Sequence, residues 1–465
     1  MKKQGFVSPD EIRAQFSSAM SDMYKTEVPL YGTLLQLVAD INDKAMAETP
    51  ELVEQLRWTG EIERLSMERH GAIRVGTADE LSTIRRLFAV MGMQPVGYYD
   101  LSSAGVPVHS TAFRAVHEDA LQVSPFRVFT SLLRLELIDN LGLRELASRI
   151  LANRDIFTAR ARELIAQFER EGGLNQQDAD AFVKEALETF RWHTQATVTA
   201  EEYKRLHDQH RLIADVVAFK GPHINHLTPR TLDIDLIQAS MPERGITPKA
   251  VVEGPPRRQC PILLRQTSFK ALEEQVAFVG QHGALGSHTA RFGEIEQRGA
   301  ALTQKGRALY DALLAATRAE LKEFPNEGNA QRYAQLLEKN FYDFPDGHDE
   351  MRRQGLAYFR FFVTERGIAA RSDVVRPRDL DSLIDAGHVR FEPLVYEDFL
   401  PVSAAGIFQS NLGDNAQAHY GISSNQADFH AALGARVLDE LQLYADTQRR
   451  SILECSATLD LPPLV

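Results

Sequence analysis

The sequence is poor in cysteine, in long apolar runs and in positive charge. Only Cys260 and Cys455 occur among 465 residues. Two thiols so far apart argue against a disulfide framework or a thiolate metal cluster, and they suit a reducing compartment, so the expected location is the cytoplasm. No stretch approaches the roughly 20 apolar residues that cross a bilayer. The opening MKKQGFVSPDEIRAQF carries two lysines with no apolar segment behind them, so neither export nor membrane insertion is expected. Lys and Arg total 52 against 64 for Asp and Glu, a formal charge of -12, which disfavours nucleic acid as a partner. The chain also lacks G-x-G-x-x-G, a Walker A sequence and a G-x-S-x-G elbow. Dinucleotide, nucleotide and serine-hydrolase chemistries lose their usual support.

What is present is ample core material, 44% of residues being apolar, and the whole of 1–465 reads as one elaborated domain. Ser8, Pro9 and Glu11 form an N-cap, N1 and N3 pattern ahead of Ile12, Phe16, Met20 and Met23, which predicts a capped helix at the start. Residues 70–75 read as a strand. Residues 124–192, including SPFRVFTSLLRLELIDNLGLRELASRIL, read as a helical insertion. Strands are expected at ADVVAFKG, CPILLRQTSF, AFVGQHG, RFGEIE, LAYFRFFVTERG, HVRFEPLVYEDFL and AAGIFQSN, and a helix over the C-terminal NQADFHAALGARVLDELQLYADTQRRS. Strands and helices do not alternate regularly, so the expected class is α+β, with a curved and mostly antiparallel sheet.

Histidine supplies the candidate chemistry. In AFKGPHINHLTPRTLDID, Pro222 and Pro229 push the chain towards extended geometry. His223 and His226, an odd number of positions apart, then project to opposite faces, and at most one of them is a ligand to a given metal. In RHGAIRVGT, His70, Ala72 and Arg74 share a strand face, placing an imidazole and a guanidinium along one pocket with a small residue between them. RFGEIEQRG places Glu294 and Glu296 on one face and Ile295 on the other. Each has a plainer alternative: a histidine satisfied by the backbone, a surface arginine, a solvated strand face. Two histidines and a carboxylate from separate strands would make the facial triad of mononuclear non-haem iron. His117, Glu118 and Asp119 form an H-x-D string, but TAFRAVHEDALQV has helical spacing, on which positions i and i+2 diverge. DFPDGHDEMRR reads as a turn into a helix.

Together ERHGAIRVGT, AFKGPHINHLTPRTLDIDL, ARFGEIEQRG and FLPVSAAGIFQSNL resemble the 2-oxoadipate dioxygenase/decarboxylase (D-2-hydroxyglutarate synthase) family over nearly the whole chain. The resemblance implies a fold of vicinal-oxygen-chelate type, with a curved sheet enclosing Fe(2+) and large helical additions. It implies His70, His226 and Glu294 as metal ligands, Arg74 as the clamp on the substrate carboxylate, Val402 at the substrate pocket and Ser403 beside it. The implied reaction converts 2-oxoadipate and O2 to D-2-hydroxyglutarate and CO2 in lysine catabolism. The rival readings are a metal-dependent glyoxalase-type isomerase or lyase, and a non-catalytic protein that binds a metal or ligand. Oligomeric state is not legible.

Overall fold

The computed structural model describes residues 5–280, 285–323, 325–373, 377–400 and 425–464. Its architecture is α+β, as the irregular order of elements predicts. Eleven strands are described: β1 (Arg69–Val75), β2 (Gln94–Asp100), β3 (Val108–Arg114), β4 (Arg127–Leu133), β5 (Leu227–Pro229), β6 (Leu264–Ser268), β7 (Leu272–Ala277), β8 (Leu285–Arg291), β9 (Glu294–Arg298), β10 (Phe359–Val363) and β11 (Val389–Pro393). Five of them form one sheet in the order β2-β3-β4-β1-β5, and β6-β9, β7-β8 and β10-β11 form two-stranded ribbons. β1 and β4 run parallel, and the other pairs of named strands are antiparallel.

Local sequence explains several elements. The helix Pro9–Glu27 starts at Ser8 with a complete capping box closed by Glu11, and buries Ile12, Phe16, Met20 and Met23 along one face. DFPDGHDEMRR is a turn leading into the helix His348–Arg353. Gly97, at φ +73°, sits where the β2-β3 register slips between Val96 and Tyr99, a geometry that few side chains tolerate.

Several expectations fail, each for a physical reason. The block 124–192 is helical only from Leu141 onward, because RVFTSLL is β4. All seven residues of β4 are buried, so no polar face alternates with the apolar one and the period of two is hidden. ADVV, expected to open a strand, instead ends the helix Arg211–Val217, whose Leu212 N–H donates to the His210 ring. It too is nearly all buried, and its β-branched residues misled. TAFR belongs to β3, and the helix Glu118–Val123 starts only after His117. The C-terminal helix is two, Gln426–Leu433 and Glu440–Thr458, parted at Gly434 with φ +70°. Of the expected strand AFVGQHG only Ala277 belongs to a strand, the end of β7, because the chain turns at Val279 and Gly280, the latter at φ +79°; its last three residues and the expected strand AAGIFQSN lie outside the described residues. Among the described residues, no helix is long and apolar enough to cross a membrane.

The site is positioned by the link between the large sheet and the β6-β9 ribbon. β5 lies antiparallel to β1, with His70 opposite Thr228 and Gly71 opposite Leu227. Just ahead of β5, Asn225 N–H donates to Ala72 O at 3.0 Å. Past β5, Arg230 bridges Glu296, and Thr231 N–H donates to Glu296 O at 2.8 Å. β1, the β5 segment and β9 therefore run side by side. Gly71 is needed for this approach: a Cβ there would meet Ile224 Cδ1 at 2.5 Å and His226 O at 3.1 Å.

Candidate metal centre

His70 on β1, His226 at the entry to β5 and Glu294 on β9 converge, with candidate ligand atoms within 4.8 Å of one another and all three side chains buried. His70 Nε2 lies 3.0 Å and His226 Nε2 3.8 Å from Glu294 Oε1. The two imidazoles meet edge to face at 5.5 Å. Thr228 Oγ1 and Gln266 Nε2 donate to the same Glu294 Oε1, at 3.0 and 2.9 Å. Among the described residues, neither ring nitrogen of His226 nor Glu294 Oε2 has a hydrogen-bond partner. Orphaned polar atoms on fully buried groups are costly, and a divalent cation would satisfy the lone pair of one His226 ring nitrogen together with Glu294 Oε2.

The electrostatics suit a cation. Burial, reinforced by charge on His70 and Arg74, pushes the His226 imidazole well below its usual range, so its ring is neutral and able to ligate. Burial also raises the Glu294 carboxyl, against the pull of His70. His70 resists its own burial and is shifted upward by Glu296 and Glu294. Its Nδ1 lies 3.0 Å from Glu296 Oε2. Arg298 holds Glu296 with two bonds of 2.6 and 2.9 Å. Despite complete burial Glu296 stays well below the usual carboxylate range, because Arg298, His70 and Arg127 offset the desolvation.

The floor of the site is aromatic. Phe399 packs edge-on against His70 at 4.9 Å, and Phe292 packs against His226 at 4.8 Å.

Arg74 lies on the same face of β1 as His70, about 13 Å away along the strand. Its Nη1 donates to Asp215 Oδ2 at 2.6 Å. His223 parts from His226 as the odd spacing requires and turns to Asp215, 3.3 Å from Oδ1. Val402 and Ser403 lie outside the described residues. His117 heads its helix and is not drawn into the histidine cluster.

In the sequence Glu296 stands out only as a neighbour of Glu294, although E-x-E-x-R on a strand does align the three charged side chains. Thr228, opposite His70, and Gln266, opposite Glu296, gave no signal, since cross-strand partners are invisible before pairing is known.

A family model described as 2-oxoadipate dioxygenase/decarboxylase matches residues 16–411. The chain belongs to that family. A 2-oxoadipate dioxygenase/decarboxylase from Pseudomonas putida is 73% identical over 461 residues, covering 99% of each chain. The Escherichia coli protein of the same description is 58% identical over 452 residues, covering 97% of this chain and 98% of its own. A crystal structure of hydroxyglutarate synthase from Pseudomonas putida in complex with 2-oxoadipate superposes with a TM-score of 0.93 at 72% identity, covering 98% of this chain and all of that one. The reading of the chain as an enzyme of this family therefore stands.

Proposed function

We propose that the chain converts 2-oxoadipate and O2 to D-2-hydroxyglutarate and CO2, with Fe(2+) held by His70, His226 and Glu294, as a cytoplasmic step of lysine catabolism. The observation that carries the metal reading is the set of orphaned atoms on His226 and Glu294, buried and aimed at one another beside His70. Two imidazoles and one carboxylate form the facial set that leaves coordination positions for a 2-oxo acid and oxygen. Bound there, iron supplies the redox chemistry and the polarisation of the 2-oxo acid. In this reading the large sheet and the β6-β9 ribbon are the two walls of a vicinal-oxygen-chelate-type enclosure.

The protein's own groups orient the reactants. Thr228 and Gln266 occupy Glu294 Oε1, which leaves Oε2 free to ligate. Glu296 takes the Nδ1 side of His70, which turns the Nε2 lone pair inward. Arg74 holds the far carboxylate of the substrate, so that the carbon chain lies along β1 with its 2-oxo end at the metal. Phe399 and Phe292 limit water around the two histidines.

The deciding experiment is anaerobic loading with ferrous iron, followed by oxygen uptake and product analysis on adding 2-oxoadipate. One O2 consumed per CO2 and 2-hydroxyglutarate formed is expected. Turnover without oxygen uptake would establish the glyoxalase-type alternative instead.

A further inference from the structure

A second buried cluster lies on the Arg74 side of the site. Asp215, on the helix Arg211–Val217, receives Arg74 Nη1 on Oδ2 at 2.6 Å. On Oδ1 it meets His288 Nε2 of β8 at 2.9 Å and His223 Nε2 at 3.3 Å. Tyr203, on the preceding helix Ala200–Gln209, reaches His288 Nδ1 at 2.7 Å. Trp192 packs edge-on against His223 at 4.6 Å and lies parallel to His288 at 6.1 Å.

The three groups Asp215, His223 and His288 lie as close together as the metal triad, but their chemistry differs. Both Nε2 atoms already face a carboxylate oxygen, His288 Nδ1 faces a phenol, and a guanidinium occupies the other carboxylate oxygen. A divalent ion here would sit against the charge of Arg74 and would displace bonds already made. The orphaned atoms that mark the first triad are absent from these three side chains among the described residues.

We infer that Asp215, braced by His223, His288 and Tyr203, is the positioning residue that aims the Arg74 guanidinium at the distal carboxylate of the substrate and so sets the preference for a dicarboxylic 2-oxo acid. This rests on the reading of Arg74 as the clamp. A long side chain with many rotamers clamps poorly unless something holds it beforehand. Arg74 is buried enough, at 11% side-chain exposure, to need a counter-charge when no substrate is bound. Asp215 is an anion throughout: burial works against its ionisation, and His223 and Arg74 outweigh the burial. The helices that carry Tyr203 and Asp215 thus take part in substrate selection.

The test compares 2-oxoadipate with 2-oxohexanoate, which ends in a methyl group where 2-oxoadipate has its second carboxylate, using iron-loaded wild type, Arg74→Ala, Asp215→Asn and Tyr203→Phe. Asp215→Asn is expected to raise KM for 2-oxoadipate about tenfold, with a smaller change in kcat and none for 2-oxohexanoate. Iron should stay at one per chain. Tyr203→Phe, a milder change remote from the clamp, is expected to shift KM two- to threefold in the same sense, and Asp215→Glu to restore part of the loss. An Arg74→Ala enzyme that still prefers 2-oxoadipate overturns the clamp and this inference together. If Arg74→Ala loses the preference while Asp215→Asn and Tyr203→Phe keep it, the clamp survives and the inference falls. Equal losses on both substrates, or iron falling from two to one per chain in Asp215→Asn, would also overturn it, the first as plain destabilisation and the second as a metal site.

Discussion

His70 bridges Glu294 and Glu296, its Nε2 lying 3.0 Å from Glu294 Oε1 and its Nδ1 3.0 Å from Glu296 Oε2. One imidazole on β1 thus faces two carboxylates of a single strand, 224 positions away in sequence for Glu294. The two contacts have different fates once a cation arrives. The Nε2 side can open to admit the ion, whereas the Nδ1 side stays closed and orients the ring.

Glu296→Gln should therefore weaken iron binding about 10- to 100-fold without removing a ligand. It also leaves Arg298 and Arg127 short of a buried counter-charge, at a cost of about 3 kcal/mol. Iron titration and thermal unfolding of the iron-free protein read the two effects separately. Unchanged iron affinity would remove Glu296 from the metal centre.

The two histidines of the proline-bounded segment should separate in metal content. His226→Ala is expected to leave less than about a tenth of the wild-type iron, because a facial set of three ligands loses one. His223→Ala should retain iron, since its ring faces Asp215. Elemental analysis of the two purified variants decides between them, and iron lost equally from both would contradict the assignment.

Arg74→Ala should keep its iron and lose most turnover of 2-oxoadipate, by about 100-fold in kcat/KM for a charge-assisted bidentate contact. Steady-state oxygen uptake measures this. Wild-type kinetics in the variant would eliminate the guanidinium as the clamp.

An acid-sensitive element lies away from the metal. Burial, helped by Arg134, pushes the His109 imidazole on β3 down to about 4. Between about pH 6.5 and 4 the unfolded chain binds a proton there that the folded chain does not. Stability is thus fully present above about pH 6.5 and is lost as pH falls through this window, by about 3 kcal/mol at its limit. His109→Gln should flatten this part of a plot of Tm against pH, and an unaltered curve would exclude His109 as the source.

Local signals were legible where one face of an element is polar or a cap is explicit. The capping box at Ser8 and Glu11 and the strand carrying His70, Ala72 and Arg74 follow from spacing alone. So do the divergence of His223 from His226 and the shared face of Glu294 and Glu296. Illegible were β4 and the helix Arg211–Val217, where most polar residues are buried with the apolar ones and no solvent-facing side marks a period. Asp215 and His288 are illegible with them, because ADVV has the β-branched look of a strand and His288 matters only through what it touches.

By itself, then, the sequence determined which side chains could share a face and, through its motifs, the family to which the chain belongs. Only the tertiary structure decided which faces meet: that β5 lies between β1 and β9, that Glu294 turns to the two histidines while Glu296 buttresses one of them, and that a helix delivers Asp215 to Arg74. The reason is physical. Periodicity along a chain reports which way side chains point, whereas partners across strands are chosen by the packing of the whole core, which no short stretch encodes.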